Sequence, residues 1–147
     1  MIEVTEDDFN PGEYIEAART RQTGGIVTFT GIVRDDDITS MDLEAYKEVA
    51  LEELTLIRDR AMALFQVNSI DIVHRIGRLQ VGDHIVMIVV GSPHRKSAFQ
   101  ACEYIIDKIK ESVPIWKKEH TEGGTRWVPG EQGPVVRHRP AGIASRP

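Results

Sequence analysis

The sequence predicts an α+β domain, because two strong helical patterns alternate with strand patterns in an irregular order. The first helix is expected over residues 47–66, where apolar residues recur at intervals of three and four. The second is expected over residues 94–113 and ends at Pro114. Its expected core stripe consists of Ala98, Ala101, Cys102, Ile105, Ile106 and Ile109. Residues 85–90 are almost continuously apolar, as in a strand buried on both faces. The expected architecture is a mixed, largely antiparallel sheet with these two main helices and a C-terminal hairpin.

Local signals predict the remaining elements in chain order. Asn10-Pro11 combines a helix-capping residue with proline at the first helical position, so a helix is expected over residues 11–20. Gly24-Gly25 then breaks the chain, and residues 81–83 (VGD) predict a tight reversal. Strands are expected at residues 2–4, 25–34, 41–46, 68–75 and 84–91, with a final hairpin of residues 115–121 and 125–128.

Composition excludes several functional classes. The net charge of −5 argues against a nucleic-acid-binding surface, because phosphate contacts need a basic one. The chain has one cysteine, Cys102, which excludes a disulfide framework, a cysteine-rich zinc site and an iron–sulfur cluster within one chain. His74, His84 and His94 lie ten residues apart, which matches no local metal-binding pattern. We therefore expect neither a metal site nor a cofactor.

Length and segment composition predict the domain organisation. Residues 1–10 are acidic and do not resemble a signal peptide, and no apolar run approaches about 18 residues. A cytoplasmic location without membrane association is therefore expected. Residues 1–128 are expected to form a single domain. Residues 129–147 contain four prolines and little apolar periodicity, so we expect a flexible C-terminal tail.

Basic residues are concentrated in one segment of this acidic chain. Residues 94–118 carry six Lys or Arg against three acidic residues. Arg95 and Lys96 fall in the first turn of the second main helix, where the helix dipole disfavours each cation by about 0.3–1 kcal/mol. A phosphate or carboxylate bound there by His94 and Arg95 would make the position of the cations favourable instead of unfavourable. The alternative is two solvated cations.

Two lysines at the other end of this helix are a second candidate cluster. Lys110 is expected in the last helical turn and Lys117 in the strand beyond Pro114. A strand that returns beside the helix end would bring the two amines together, and clustered cations depress each other's pKa. The alternative for Lys110 is a lysine stabilised by the helix C-terminus. Arg34 ends its strand beside Asp35–Asp37, where either a functional role or a simple ion pair is expected.

Several short motifs together resemble the large, catalytic subunit of molybdopterin synthase. The resemblance covers about residues 24–128, in order and at matching spacing. The motifs are residues 28–34 (TFTGIVR), 43–46 (LEAY), 74–77 (HRIG), 81–83 (VGD), 92–95 (SPHR), 114–119 (PIWKKE) and 127–128 (WV), together with Lys110.

The resemblance implies a specific function and fold. Members of that family insert two sulfurs into cyclic pyranopterin monophosphate, which gives the dithiolene of molybdopterin. The sulfur arrives as a thiocarboxylate on the C-terminal Gly-Gly of a small ubiquitin-like sulfur-carrier subunit. The resemblance also implies a hammerhead-like portion of the fold and a homodimer within a heterotetramer. A chain whose one cysteine falls on an apolar helical stripe fits an enzyme that receives activated sulfur from a partner.

Matched positions assign expected roles to individual residues. Lys110 and Lys117 would be catalytic, Lys110 near the acyl transfer and Lys117 in charge stabilisation or proton transfer. Glu119 would orient Lys117, and Phe29 would line the pterin pocket or the core. The expected substrate-binding residues are Ile32, Val33, Arg34, His94, Arg95, Lys110, Lys117, Lys118 and Glu119.

The sequence departs from the family pattern in two places. The loop between Arg34 and Glu44 is shorter than in many members. Where some members carry a basic residue that reaches the neighbouring subunit's pocket, this chain has Pro129-Gly130-Glu131, with Arg137 or Arg139 as substitutes. Two other functions remain open from the residues alone: a non-catalytic dimeric module that binds a phosphorylated ligand, and a scaffold dimer.

Overall fold

Eight strands and three helices make up the part of the chain described by the computed structural model, residues 1–128. The expected tail, with Arg137 and Arg139, lies outside the described residues. In chain order the elements are β1 (Ile2–Thr5), α1 (Pro11–Ala17), β2 (Gly25–Ile32), β3 (Ser40–Glu44), α2 (Lys47–Leu64), β4 (Ser69–Arg75), β5 (Gly77–Gln80), β6 (His84–Ser92), α3 (Arg95–Ser112), β7 (Trp116–Thr121) and β8 (Gly124–Val128). The predicted α+β class, with two long helices and a C-terminal hairpin, is confirmed.

The strands form two four-stranded sheets. One has the order β1-β4-β6-β2 and the other the order β5-β3-β7-β8. Only the β1–β4 pair is parallel, so the prediction of largely antiparallel pairing is confirmed. The sequence did not predict β5, because Gly77–Gln80 offers a single buried apolar side chain, Leu79, to a strand of four residues.

The start and end of α1 and the end of β2 each have an identifiable local cause. The side chain of Asn10 caps α1 by accepting a hydrogen bond from the Gly12 amide at 3.0 Å, as predicted. The helix stops at Ala17 rather than near residue 20, because the exposed polar residues 19–22 offer no apolar stripe to continue it. β2 ends at Ile32, because Val33 instead pairs with the reversal before β6, donating to the Asp83 carbonyl and accepting from Gly82. The other bounds agree with prediction within about two residues.

The main core lies between α2, α3 and the first sheet. α3 contributes the predicted small and branched residues Ala98, Ala101 and Ile105, each fully buried. Cys102 is 5% exposed in this core, and burial raises the pKa of its thiol to about 11, so it packs as a small apolar residue. Leu64 in the last turn of α2 is exposed, whereas Ile106 packs against this core and also lines a cavity.

A smaller cluster of Val33, Ile38, Met41, Leu43 and Leu79 packs under the second sheet. Ile85 and Ile115 contact both clusters, so the two sheets are joined at this seam. Within residues 1–128, none of the helices has the length and apolar character needed to cross a bilayer. The seam between the sheets is where the candidate site lies.

Candidate active site

A cavity of about 530 Å³ opens between the two sheets and the C-terminal end of α3. This volume is in the range of cavities that hold small molecules. β2 supplies Phe29, Thr30 and Ile32 to its wall, and the second sheet supplies Met41, Leu43 and Val128. The charged lining residues are Arg34, Asp36, Lys110, Lys117 and Glu119.

The fold brings the two predicted catalytic lysines to this one cavity. Lys110 lies in the last turn of α3, the chain turns at Pro114, and β7 returns past the end of the helix. Because side chains alternate along a strand, Lys117 and Glu119 face the cavity together. Lys118 points to the opposite face, where its ammonium lies 5.7 Å from the centre of the Trp127 ring. The cavity lining therefore does not include Lys118, although the sequence suggested it for substrate binding.

The end of β2 and the segment after it contain one cation, which lines the cavity, and two apolar residues, of which only one lines it. Arg34 lines the cavity, and its Nε lies 3.3 Å from the Asp36 carboxylate, which lines it too. The guanidinium is largely exposed, so this ion pair is weak and can yield to an anionic ligand. Ile32 lines the cavity, but Val33 is 2% exposed within the smaller core and does not.

His94 and Arg95 lie at the opposite end of α3 from the lysines. Arg95 and Lys110 are fifteen residues apart in one continuous helix, a separation of about 22 Å along the axis. Ser92 occupies the approach to the helix start, where its hydroxyl accepts from the His94 amide and donates to the His94 carbonyl at 2.6 Å. Within one protomer these residues and the two lysines therefore do not share a site.

His74 lines the cavity and was not among the predicted site residues. It follows Ile70 and Ile72 on the core-facing side of β4, so a histidine that continues an alternating apolar pattern was the available signal. Its Nδ1–H donates to the Arg75 carbonyl at 2.8 Å, which leaves Nε2 as an acceptor. Burial, with smaller contributions from the charges of Lys110 and Lys117, lowers the pKa of His74 to about 4. The imidazole is therefore neutral at physiological pH.

The buried neutral state of His74 predicts an acid-dependent loss of stability. The pKa of His74 is about 4 in the folded protein and 6.5 when the side chain is exposed. Its contribution to the free energy of unfolding is therefore complete above pH 6.5 and is lost as the pH falls toward 4. This group alone lowers the free energy of unfolding by about 2–3 kcal/mol between pH 7.5 and 4.5. Urea unfolding of wild type and His74→Gln across this range should show the steeper decline in wild type. Parallel curves would contradict the assignment.

The carboxylate of Glu119 is held by an arginine from the next strand. Glu119 is 7% exposed. Its Oε1 accepts a hydrogen bond from Nε of Arg126 at 2.8 Å and forms an ion pair with Nη2 at the same distance. The two residues are direct partners in the β7–β8 ladder. The family resemblance connected Glu119 only to Lys117. Cross-strand partners depend on register, which local pattern does not specify.

The histidines of the described residues serve separate structural environments. The Nδ1 atom of His84 contacts the Asp8 carboxylate at 3.0 Å. Across residues 1–128, no cluster of three or more His, Cys, Asp or Glu side chains could hold a metal ion. The ionisable side chains that line the cavity are two amines, a guanidinium, two carboxylates and the imidazole of His74.

Comparison with known proteins identifies the class. Residues 4–112 match the family model described as MoaE protein. The molybdopterin synthase catalytic subunit of Pyrococcus abyssi is 41% identical over 135 residues, covering 89% of this chain and 91% of that protein. The corresponding subunit of Vibrio cholerae is 39% identical over 132 residues, covering 86% and 88%.

Solved structures agree with these relatives. A crystal structure of molybdopterin synthase from Staphylococcus aureus superposes with a TM-score of 0.82 at 40% identity, covering 86% of this chain and 95% of that one. A complex of subunits 1 and 2 of the molybdopterin-converting factor from Helicobacter pylori shares the fold, with a TM-score of 0.77 at 22% identity, covering 91% of this chain and 94% of that one.

These matches define a sulfurtransferase of molybdenum cofactor biosynthesis, built on an α+β fold with a cationic cavity. The chain belongs to the MoaE family, whose members named above are molybdopterin synthase catalytic subunits.

Proposed function

We propose that the cavity transfers sulfur from a thiocarboxylated small ubiquitin-like subunit to cyclic pyranopterin monophosphate. The observation that carries this proposal is the meeting of Lys110, Lys117 and Arg34 at one cavity in a chain without a usable thiol. The single cysteine is buried and its thiol pKa is raised to about 11, so the sulfur nucleophile must come from a partner.

The cavity residues match the charges that develop in such a transfer. The sulfur of the partner's thiocarboxylate forms a bond to a side-chain carbon of the pterin as a carbon–oxygen bond breaks. Water then attacks the acyl carbon of the resulting thioester, releasing the partner's carboxylate and leaving the sulfur on the pterin. The tetrahedral oxyanion of this second step is stabilised by a nearby ammonium group, and Lys110 is our candidate for that role. Lys117 stabilises the leaving oxygen or supplies its proton.

The open edge of β2 supports a homodimer in which each cavity draws residues from both chains. Within the described residues β2 pairs on one side only, with β6, and Phe29 and Ile32 are exposed at 38% and 47%. A second copy paired antiparallel along this edge would place its Gly25 end beside Ile32. Gly25 lies against Arg95 of its own chain, so the partner's His94 and Arg95 would arrive beside Arg34. Arg34 and the partner's Arg95, with the partner's His94 beside them, together hold the substrate phosphate.

A small sulfur-carrier protein ending in Gly-Gly is the proposed second partner. The Helicobacter pylori neighbour, which shares the fold, was solved as a complex of two subunits of the molybdopterin-converting factor. An extended thiocarboxylate tail fits a cavity lined by apolar side chains and by two lysines. The assembly we propose is a homodimer of this chain with one small subunit at each cavity.

Reconstitution tests the proposed function directly. Purified protein, the thiocarboxylated small subunit and cyclic pyranopterin monophosphate should yield dithiolene product, detected as an oxidised fluorescent pterin derivative. The small subunit with an ordinary C-terminal carboxylate is the matched control and should yield none. Binding of the phosphorylated pterin without turnover would instead favour a non-catalytic ligand-binding module and would overturn the proposal.

A further inference from the structure

We propose that Arg126 is a positioning residue for the sulfur transfer, acting through Glu119. This inference rests on the proposed function. Arg126 does not belong to the cavity lining, and its side chain is about half exposed, so it does not touch the reacting groups. Its two contacts to Glu119 nevertheless connect the outer strand β8 to a carboxylate inside the cavity.

The geometry fixes which oxygen of Glu119 is available. Both Arg126 nitrogens, Nε and Nη2, end on Oε1 at 2.8 Å. Two donors from a planar guanidinium restrict the rotation of the carboxylate more than a single contact does. The contacts to Arg126 thus leave Oε2 for other partners, and Glu119 lines the cavity from the same side of β7 as Lys117.

The electrostatics favour the same role. A carboxylate that is 7% exposed needs a charged or hydrogen-bonding partner, because a buried charge without one is costly. If the cavity lysines were its only partners, their ammonium groups would be drawn to Glu119 and away from the substrate. With Oε1 held by Arg126, the carboxylate has a partner outside the cavity lining that fixes its orientation.

A double-mutant cycle tests whether Arg126 acts through Glu119. In the reconstituted enzyme, Arg126→Met should lower kcat about tenfold with little change in KM for the pterin, because it misplaces a cavity group without removing a substrate contact. Glu119→Gln should also lower kcat. If Arg126 acts through Glu119, adding Arg126→Met to Glu119→Gln should produce no further loss. Additive losses in kcat would overturn the inference.

Two further variants separate positioning from strand stability. Arg126→Lys restores one charged donor, and we expect it to recover part of the lost kcat. Thr121→Val removes a hydrogen bond to the Gly124 carbonyl in the same hairpin, outside the cavity lining, and should leave kcat unchanged. Equal losses in Arg126→Met and Thr121→Val would indicate a purely structural hairpin effect, contrary to the inference.

The two proposals fail in distinguishable ways. If the wild-type enzyme produces no dithiolene with the thiocarboxylated partner, the proposed function fails, and the role of Arg126 fails with it. If the wild type is active and Arg126→Met retains full kcat, only the positioning role is overturned. Should Arg126→Met not fold, the cycle is run with Arg126→Lys, for which full kcat together with a normal melting temperature would be the contrary result.

Discussion

Replacing both Lys110 and Lys117 with alanine should lower kcat for dithiolene formation by at least about 100-fold, the size of effect expected when a charge-stabilising group is lost. The two ammonium groups line the same cavity from different elements, so neither can take over the full role of the other. Burial of apolar area is little changed, so the melting temperature should stay near that of wild type. Rates are measured in the reconstituted system under single-turnover conditions.

Lys108 supplies the matched control on the same helix. It lies two residues before Lys110, pairs with Glu111 at 3.3 Å and does not line the cavity. Lys108→Ala should therefore keep the wild-type rate. Wild-type activity in the Lys110→Ala, Lys117→Ala protein would remove the basis of the assigned mechanism. A similar loss in Lys108→Ala would point to a general effect of helix charge.

Mixing two inactive variants should restore activity if each cavity is shared between two chains. Arg34→Ala and Arg95→Ala should each be strongly impaired, because each loses a cation proposed to hold the phosphate. A mixed dimer of the two has one cavity with both defects and one with neither. Random mixing of protomers should then recover roughly a quarter of the wild-type activity. The measurement is the rate after denaturation and joint refolding of equal amounts.

A second mixture provides the control for this prediction. Arg34 and Lys110 line one cavity of the same chain, so a mixed dimer of Arg34→Ala and Lys110→Ala has one defect in each cavity. That mixture should recover nothing beyond the activity of its components. Failure of the Arg34→Ala and Arg95→Ala mixture to gain activity, with mixed dimers demonstrated, would exclude a cavity shared in this way.

Residues in regular elements were predicted well because local patterns determine them. The apolar stripe of α3 predicted a helix with Ala98, Ala101 and Ile105 in the core, and Pro114 predicted its end. The same reasoning brought Lys110 and Lys117 near each other, since a helix end and the next strand are close in both sequence and space. β5 was missed because its pairing with β3 depends on tertiary contacts rather than on its own four residues.

The site itself was only partly predictable, because several features depend on long-range register. Lys118 was grouped with Lys117, but strand alternation turns it to the other face, over Trp127. The pairing of Glu119 with Arg126 follows from the β7–β8 register, which depends on the hairpin turn. The family resemblance assigned His94 and Arg95 to the same substrate site as the lysines, but an 18-residue helix separates them within one chain.

The length of α3 has a consequence for tolerated changes in chain length. Arg95 and Lys110 are carried on one rigid helix, so under a shared-cavity arrangement the helix spans from one reaction centre toward the other. A single-residue insertion between them would lengthen the span by about 1.5 Å and rotate one end by about 100° relative to the other. Insertions and deletions should therefore be excluded from this stretch.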